Sequence, residues 1–257
     1  MQRATLLNWM AALAASTILV ACGGSGGADG VSTTNSAQAG LNPLPVAPAL
    51  TPTSASSSVT QGIDYYGDST IWGFASGSGG TRVTRPAPLI FAEQLPTSAR
   101  YIVQNEGVSR TTACQLLQGT DGVHPDWSTQ MRTSTAKFVI INHAINDQRQ
   151  DIGESVPAYK TCLTALSQIA RQQGKNVIFE TPNPTDQTGA GLELYVTAMR
   201  EVAAAERLNL IDQHAYLLAE LNGADVRVLM PDGTHPSEST YELKGRFAAT
   251  EFLKLSY

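Results

Sequence analysis

Charge is scarce in this chain of 257 residues: Asp, Glu, Lys and Arg make up 15% of it, and the 17 basic side chains never gather into a run. A nucleic-acid surface needs clustered Lys and Arg, so with 22 acidic residues against them no nucleic-acid partner is expected. Cysteine is nearly missing, with three positions, and neither Cys114 nor Cys162 has His or Cys neighbours at metal-ligand spacing. That argues against a zinc site. No Gly-Lys-Ser/Thr follows the glycine-rich stretch 76–80, and no G-x-G-x-x-G opens a helix, so both phosphate-cradling motifs are absent. Neither a metal nor an organic cofactor is expected. No internal repeat is visible. A long apolar run occurs only at the start of the chain.

That run, 4–21, follows the basic start Met1-Gln2-Arg3 and is broken only by Asn8, Ser16 and Thr17. It is short for a membrane span and ends in small residues, the pattern of a secretory signal. Leu19-Val20-Ala21-Cys22 before Gly23-Gly24 resembles a bacterial lipoprotein signal. The resemblance implies lipidation of Cys22, a membrane held through that N-terminal anchor, and an address in the cell envelope. Gly23, where Asp marks inner-membrane retention, implies the outer membrane. The alternative is an ordinary secretion signal with an incidental cysteine. Residues 22–60 are mostly Gly, Ser, Ala, Thr and Pro with Asp29 as their one charge, too little apolar surface to offset the entropy of ordering. A flexible tether is expected there. The remaining 61–257 suffice for one well-packed domain, expected as a monomer. With Cys22 lipidated, Cys114 and Cys162 are left as a pair. An oxidising compartment favours a disulfide between them; the alternative is two unlinked buried cysteines.

Short apolar or aromatic runs at 63–66, 100–104, 138–141, 176–180 and 209–211 read as strands. Of these, Phe138-Val139-Ile140-Ile141 is continuous and apolar, as in a strand buried on both faces. Helical spacing appears between them, with Val156, Tyr159, Leu163, Leu166, Ile169 and Ala170 before Gly174 as the plainest case. Further helices are expected over 88–95, part of 110–117, 191–206, 213–221 and 237–255. Strand and helix alternating on this scale predict an α/β three-layer sandwich around a parallel sheet of about five strands.

Polar residues collect behind these strands. Gly67-Asp68-Ser69 follows the first, Asn105-x-Gly107 closes the second, Asn146-Asp147 follows the third, and Asp232-x-x-His235-Pro236 lies in the last loop. Strand ends of a parallel sheet lie along one edge, so these blocks can meet there. Acyl transfer needs a nucleophile, a base, a group orienting that base, and oxyanion donors, and the set holds one of each. The four blocks, in this order, resemble those of the SGNH/GDSL family of serine esterases. The resemblance implies a flavodoxin-like fold, with Ser69 as nucleophile, His235 as base and Asp232 orienting its imidazole. It places the N–H groups of Ser69 and Gly107 and the amide of Asn146 in the oxyanion hole. Ala144 departs from the pattern, standing where the family has Gly, and its methyl is expected to narrow the site or tilt the loop.

Asp68 and Asp147 read as turn-stabilising carboxylates. His143, near the candidate site, reads as a structural imidazole before a substrate-facing one. His124 and His214 have no supporting company in sequence. The expected activity is hydrolysis of a carboxylic ester, with short acyl esters of envelope or extracellular carbohydrate or lipid as substrates. Two other readings use the same residues: a catalytically silent lipoprotein binding glycan or a partner, and an O-acyltransferase.

Overall fold

The computed structural model describes residues 60–257 except 78, 153, 188 and 190. The expected signal, the tether and Cys22 lie outside the described residues.

Five strands, β1 (Gln61–Gly67), β2 (Tyr101–Gly107), β3 (Phe138–Asn142), β4 (Asn176–Glu180) and β5 (Asn209–Ile211), form one sheet in the order β2-β1-β3-β4-β5. Every pairing is parallel. The helices are α1 (Ser69–Trp72), α2 (Ala87–Gln94), α3 (Ala113–Gln118), α4 (Trp127–Thr133), α5 (Val156–Gln172), α6 (Leu192–Glu206), α7 (Gln213–Leu221) and α8 (Glu238–Phe252). None of the described helices is long and apolar enough to cross a membrane.

Because strand side chains alternate, each strand feeds both layers. Tyr66, Val139, Ile141, Val177 and Phe179 pack with Trp127, Tyr159, Leu163, Leu166, Tyr195 and Met199, which belong to α4, α5 and α6. On the other face Ile63, Tyr65, Ile140, Ile178 and Ile211 meet Phe91 of α2 and Phe252 of α8. All five residues of β3 are buried, as its uninterrupted apolar run implies. The three-layer sandwich expected from the strand and helix alternation is therefore present.

The helix α4 was not expected. Its only large apolar residues, Trp127 and Met131, occupy a single face among polar neighbours, too short a period to register in sequence. Asp126 starts it by accepting the Thr129 N–H at 3.0 Å. Trp127 is fully buried and donates its indole N–H to Leu166 O at 2.8 Å. A disulfide joins Cys114 of α3 to Cys162 of α5, the favoured of the two readings of that pair.

The parallel register carries the functional blocks to one edge. Gly67 pairs with Gly107 on one side and with Asn142 on the other, so the loops after β1, β2 and β3 leave the sheet side by side.

Candidate active site

Ser69 begins α1 directly after β1. Asp68 caps this short helix, accepting the Thr70 N–H at 2.8 Å and the Thr70 hydroxyl at 2.9 Å. That fixes the Gly67-to-Ser69 turn and leaves the Ser69 N–H, at the first helical position, without an intrahelical partner. The Asp68 carboxyl is fully buried, which raises its pKa against the lowering effect of those bonds and of Lys244 and His235.

The last loop comes over the sheet edge to meet it. Ser69 Oγ stands 3.0 Å from His235 Nε2, and His235 Nδ1 stands 2.8 Å from Asp232 Oδ2. The second oxygen of Asp232 accepts the backbone N–H groups of His235 at 2.7 Å and Thr234 at 3.0 Å. Burial pushes the Asp232 carboxyl up, but those hydrogen bonds and the imidazole prevail and hold it below the usual range. The aspartate is thus an acceptor at neutral pH, which selects the His235 tautomer carrying hydrogen on Nδ1 and leaves Nε2 free to take a proton. Phe74 stacks on the imidazole at 4.3 Å between centroids, and Ser76 Oγ accepts the Asp232 N–H at 2.9 Å. Both belong to the glycine-rich loop after α1, so that loop holds the His235 side of the site.

The oxyanion side differs from expectation in two places. Gly107 does not offer a free N–H: it donates to Asn105 Oδ1 at 3.0 Å, while Asn105 Nδ2 donates to Ile71 O at 2.9 Å. What glycine supplies is closeness, since a Cβ there would sit 2.3 Å from Trp72 N and 2.8 Å from Ile71 C. Asn105 therefore locks β2 to the helix bearing Ser69. Ala144 does not narrow the site, because its methyl is fully buried in the core beneath the loop. Asn146 is buried and donates one amide hydrogen to Thr111 O at 3.0 Å, which orients the second. Between Gly107 and Thr111 the chain turns at Arg110, whose φ of 67° is uncommon for a residue with a side chain.

The remaining polar residues sort cleanly. Asp147 accepts the Ala113 N–H at 2.8 Å and ties the Asn146 loop to α3. His143 is buried, and desolvation lowers it to about 3, so it is a neutral structural ring near Thr111 Oγ1. His214 has a partner after all in Glu193, at 2.6 Å from Nε2. So does His124, flanked by Asp121 and Glu106. These three partners come from other segments or from a loop geometry that spacing alone does not reveal.

A buried polar layer under the site was also missed. Lys244 of α8 is fully buried and donates to Asn183 Oδ1 at 3.0 Å. Asn183 Nδ2 in turn donates to Thr234 O at 2.9 Å, next to His235. Glu180 accepts from Asn142 Nδ2 at 2.8 Å and from the Tyr65 hydroxyl. Burial lowers Lys244 to about 8 and raises Glu180 to about 7. The signal available in sequence was a lysine at helical spacing between Tyr241 and Ala248, on an otherwise apolar face.

A model of the GDSL-like lipase/acylhydrolase family matches residues 65–243, from β1 into α8. Comparison with curated proteins returns no match. Solved structures superpose well. The native aryl esterase of M. smegmatis does so with a TM-score of 0.63 at 18% identity, over 77% of this chain and 100% of that one. For a catalytic mutant of an acetylxylan esterase from Geobacillus stearothermophilus the TM-score is 0.58 at 19% identity, over 77% and 95%. A carbohydrate acetylesterase family member from Sinorhizobium meliloti gives 0.58 at 16% identity, over 76% and 98%. At these identities the likenesses speak for the fold, while the family match spans most of the domain. The chain belongs to the GDSL-like lipase/acylhydrolase family and is an ester-hydrolysing enzyme.

Proposed function

We propose that this chain hydrolyses short acyl esters of envelope or extracellular carbohydrate or lipid through a covalent acyl-enzyme on Ser69. The observation that carries the reading is the unbroken relay from Ser69 Oγ to His235 Nε2 at 3.0 Å and from His235 Nδ1 to Asp232 at 2.8 Å.

In the first half-reaction Ser69 Oγ attacks the ester carbonyl while its proton passes to His235 Nε2. The imidazolium is stabilised by the Asp232 carboxylate. Negative charge gathers on the former carbonyl oxygen, which the Ser69 N–H and the second amide hydrogen of Asn146 receive. The Gly107 N–H, committed to Asn105 Oδ1, is not counted among these donors. Collapse expels the alcohol, which takes the proton from His235, and leaves the acyl group on Ser69. Water then attacks the acyl-enzyme with His235 as base and releases the acid. Each oxyanion donor contributes ~100- to 1,000-fold in rate.

Support for short acyl groups on sugars comes from the acetylxylan and carbohydrate acetylesterases among the structural likenesses. The N-terminal pattern around Cys22 supports a lipid-anchored envelope address, with 22–60 as tether and the outer membrane as destination. A fluorophosphonate probe should label wild-type protein on Ser69, and Ser69→Ala should lose p-nitrophenyl acetate turnover. Unlabelled protein with turnover intact in Ser69→Ala would sink the mechanism, and stronger activity on long-chain than on acetyl esters would sink the substrate reading. Mass spectrometry of the mature N-terminus tests Cys22.

A further inference from the structure

The loop that carries Asn146 leaves β3 and ends at Glu154, one residue before Ser155 caps α5. Two tyrosines pin its ends to the helices beside it. Tyr159 of α5 donates its hydroxyl to His143 O, and Tyr195 of α6 donates to Glu154 O, each at 2.5 Å. Between these pins stands Asp147, wholly buried. Its Oδ1 takes the Ala113 N–H at 2.8 Å, at the first position of α3. Its Oδ2 is buried and meets no N–H or hydroxyl among the described residues, and Glu154 Oε2 is in the same condition.

A buried acceptor without a donor keeps the whole cost of its lost hydration. Here the two orphaned oxygens belong to side chains that reach each other, the Asp147 carboxyl standing within hydrogen-bonding distance of the Glu154 carboxyl. Two carboxylates have no hydrogen to share, whereas a carboxylic acid can donate to a carboxylate. One proton therefore satisfies both oxygens. It belongs on Asp147 Oδ2, because Oδ1 is already an acceptor and Asp147 is the more enclosed of the pair. The surroundings favour that state. Asp147 is faced by Glu154, by Asp68 at the cap of α1, and by the hydroxyl-bearing rings of Tyr159 and Tyr195. None of these is a cation. The helix α3 has no ionisable side chain besides the bridged Cys114, and Arg149 of the same loop is engaged by Asp151 at 2.6 Å. Burial first, then the charge of Glu154, raises Asp147 well above the usual carboxylate range.

We infer that Glu154 is a positioning residue: through one proton shared with Asp147 it holds the Asn146 loop in the shape that presents the oxyanion donor. Asp147 links the start of α3 to the start of α5 across that loop, and Asn146 is its neighbour in the chain. The Asn146 amide is fixed at the same end of α3, donating to Thr111 O at 3.0 Å. Removing the shared proton places two like charges in a closed space, so the contact turns from attraction to repulsion and frees the loop from α5. The Asn146 amide then no longer stands where charge gathers, and turnover falls while substrate binding does not. The inference rests on the oxyanion role proposed for Asn146.

Carbon NMR of full-length protein labelled at its aspartate carboxyls reads the pair without turnover. One carboxyl should stay protonated at neutral pH, and its signal should vanish in Asp147→Asn. That variant copies the acid's bonding, with an amide oxygen for Ala113 and an amide hydrogen for Glu154. It should keep kcat on p-nitrophenyl acetate within about threefold of wild type and, with Lys244 still in place, lose activity less steeply at alkaline pH. Glu154→Ala, shown to be folded by circular dichroism, should lower kcat about 10- to 100-fold with KM little changed, as for a displaced transition-state donor. Glu154→Gln should recover most of that loss, since its amide hydrogen can donate to an ionised Asp147. An Asp147 carboxyl ionised at neutral pH, wild-type kcat in Glu154→Ala, or Asp147→Asn as impaired as Glu154→Ala overturns the inference. A protonated Asp147 in a wild-type chain that cleaves no ester would uphold the pair and refute the hydrolytic mechanism alone.

Discussion

Replacing Lys244 with methionine keeps a flexible apolar stem and removes a buried charge beneath both halves of the relay. The ammonium donates to Asn183 Oδ1 at 3.0 Å and acts on two enclosed carboxylates, Glu180 and Asp68. Removing one member of a buried charge set typically costs about 3–5 kcal/mol, because the others stay behind without compensation. Glu180 can relieve part of this by holding a proton, since it already titrates at about 7. A net loss of about 3 kcal/mol is expected, which for a domain of this size lowers Tm by roughly 6–12 °C. The pH dependence is the sharper readout. Burial lowers Lys244 from 10.5 to about 8, so between those values the unfolded chain binds more protons and wild-type stability rises with pH. Burial raises Glu180 from 4.5 to about 7, so across that interval the folded chain binds more protons and stability falls as pH climbs. Lys244→Met should erase the alkaline rise and carry the fall past 7. Thermal unfolding by circular dichroism across this pH range measures both, and ester turnover should drop as Asn183 loses its hold on Thr234. A variant within about 1 kcal/mol of wild type that keeps the alkaline rise would refute the reasoning.

Three further outcomes follow from the packing around the site. Gly107→Ala drives a methyl into the backbone of Ile71 and Trp72, so it should cost about 3 kcal/mol and, by displacing Ser69, roughly 100-fold in kcat; near-normal kinetics would show that α1 is not held there. Removing the Cys114–Cys162 bridge, which spans 48 residues, should cost about 4 kcal/mol in urea unfolding by its loop-closure entropy, and an unchanged midpoint would contradict the bridge. The Glu106 carboxylate, with Asp121 assisting against burial, should hold His124 above its ordinary 6.5 in an NMR titration. Its contribution to stability is then full below 6.5 and fades as pH rises through the folded-state value, and Glu106→Gln should move both downward.

The sheet was readable because its strands are short apolar runs and its connections follow the strand–helix alternation. The relay residues Ser69, Asp232 and His235 were readable because each stands just past a strand or in the last loop. Gly107 shows where that reading stops. Its position was right, but whether its N–H points to substrate or to Asn105 depends on a side-chain contact two residues away. Lys244, Glu180 and Asn183 come from three separate elements, and only the packed fold brings them together. The helix α4 and the role of Asp121 with His124 were missed for a related reason: a two-residue apolar face and a single Asp-x-x-His spacing are both common without consequence.

The relay joins positions 166 residues apart in the chain. Ser69 is among the first parts of the domain to be made, and His235 and α8 among the last. During synthesis the serine therefore lacks its base until the final helix docks and brings Lys244 under the loop that bears His235. The emerging polypeptide carries its own safeguard against premature acylation, and the onset of ester turnover marks the moment at which the whole domain has closed.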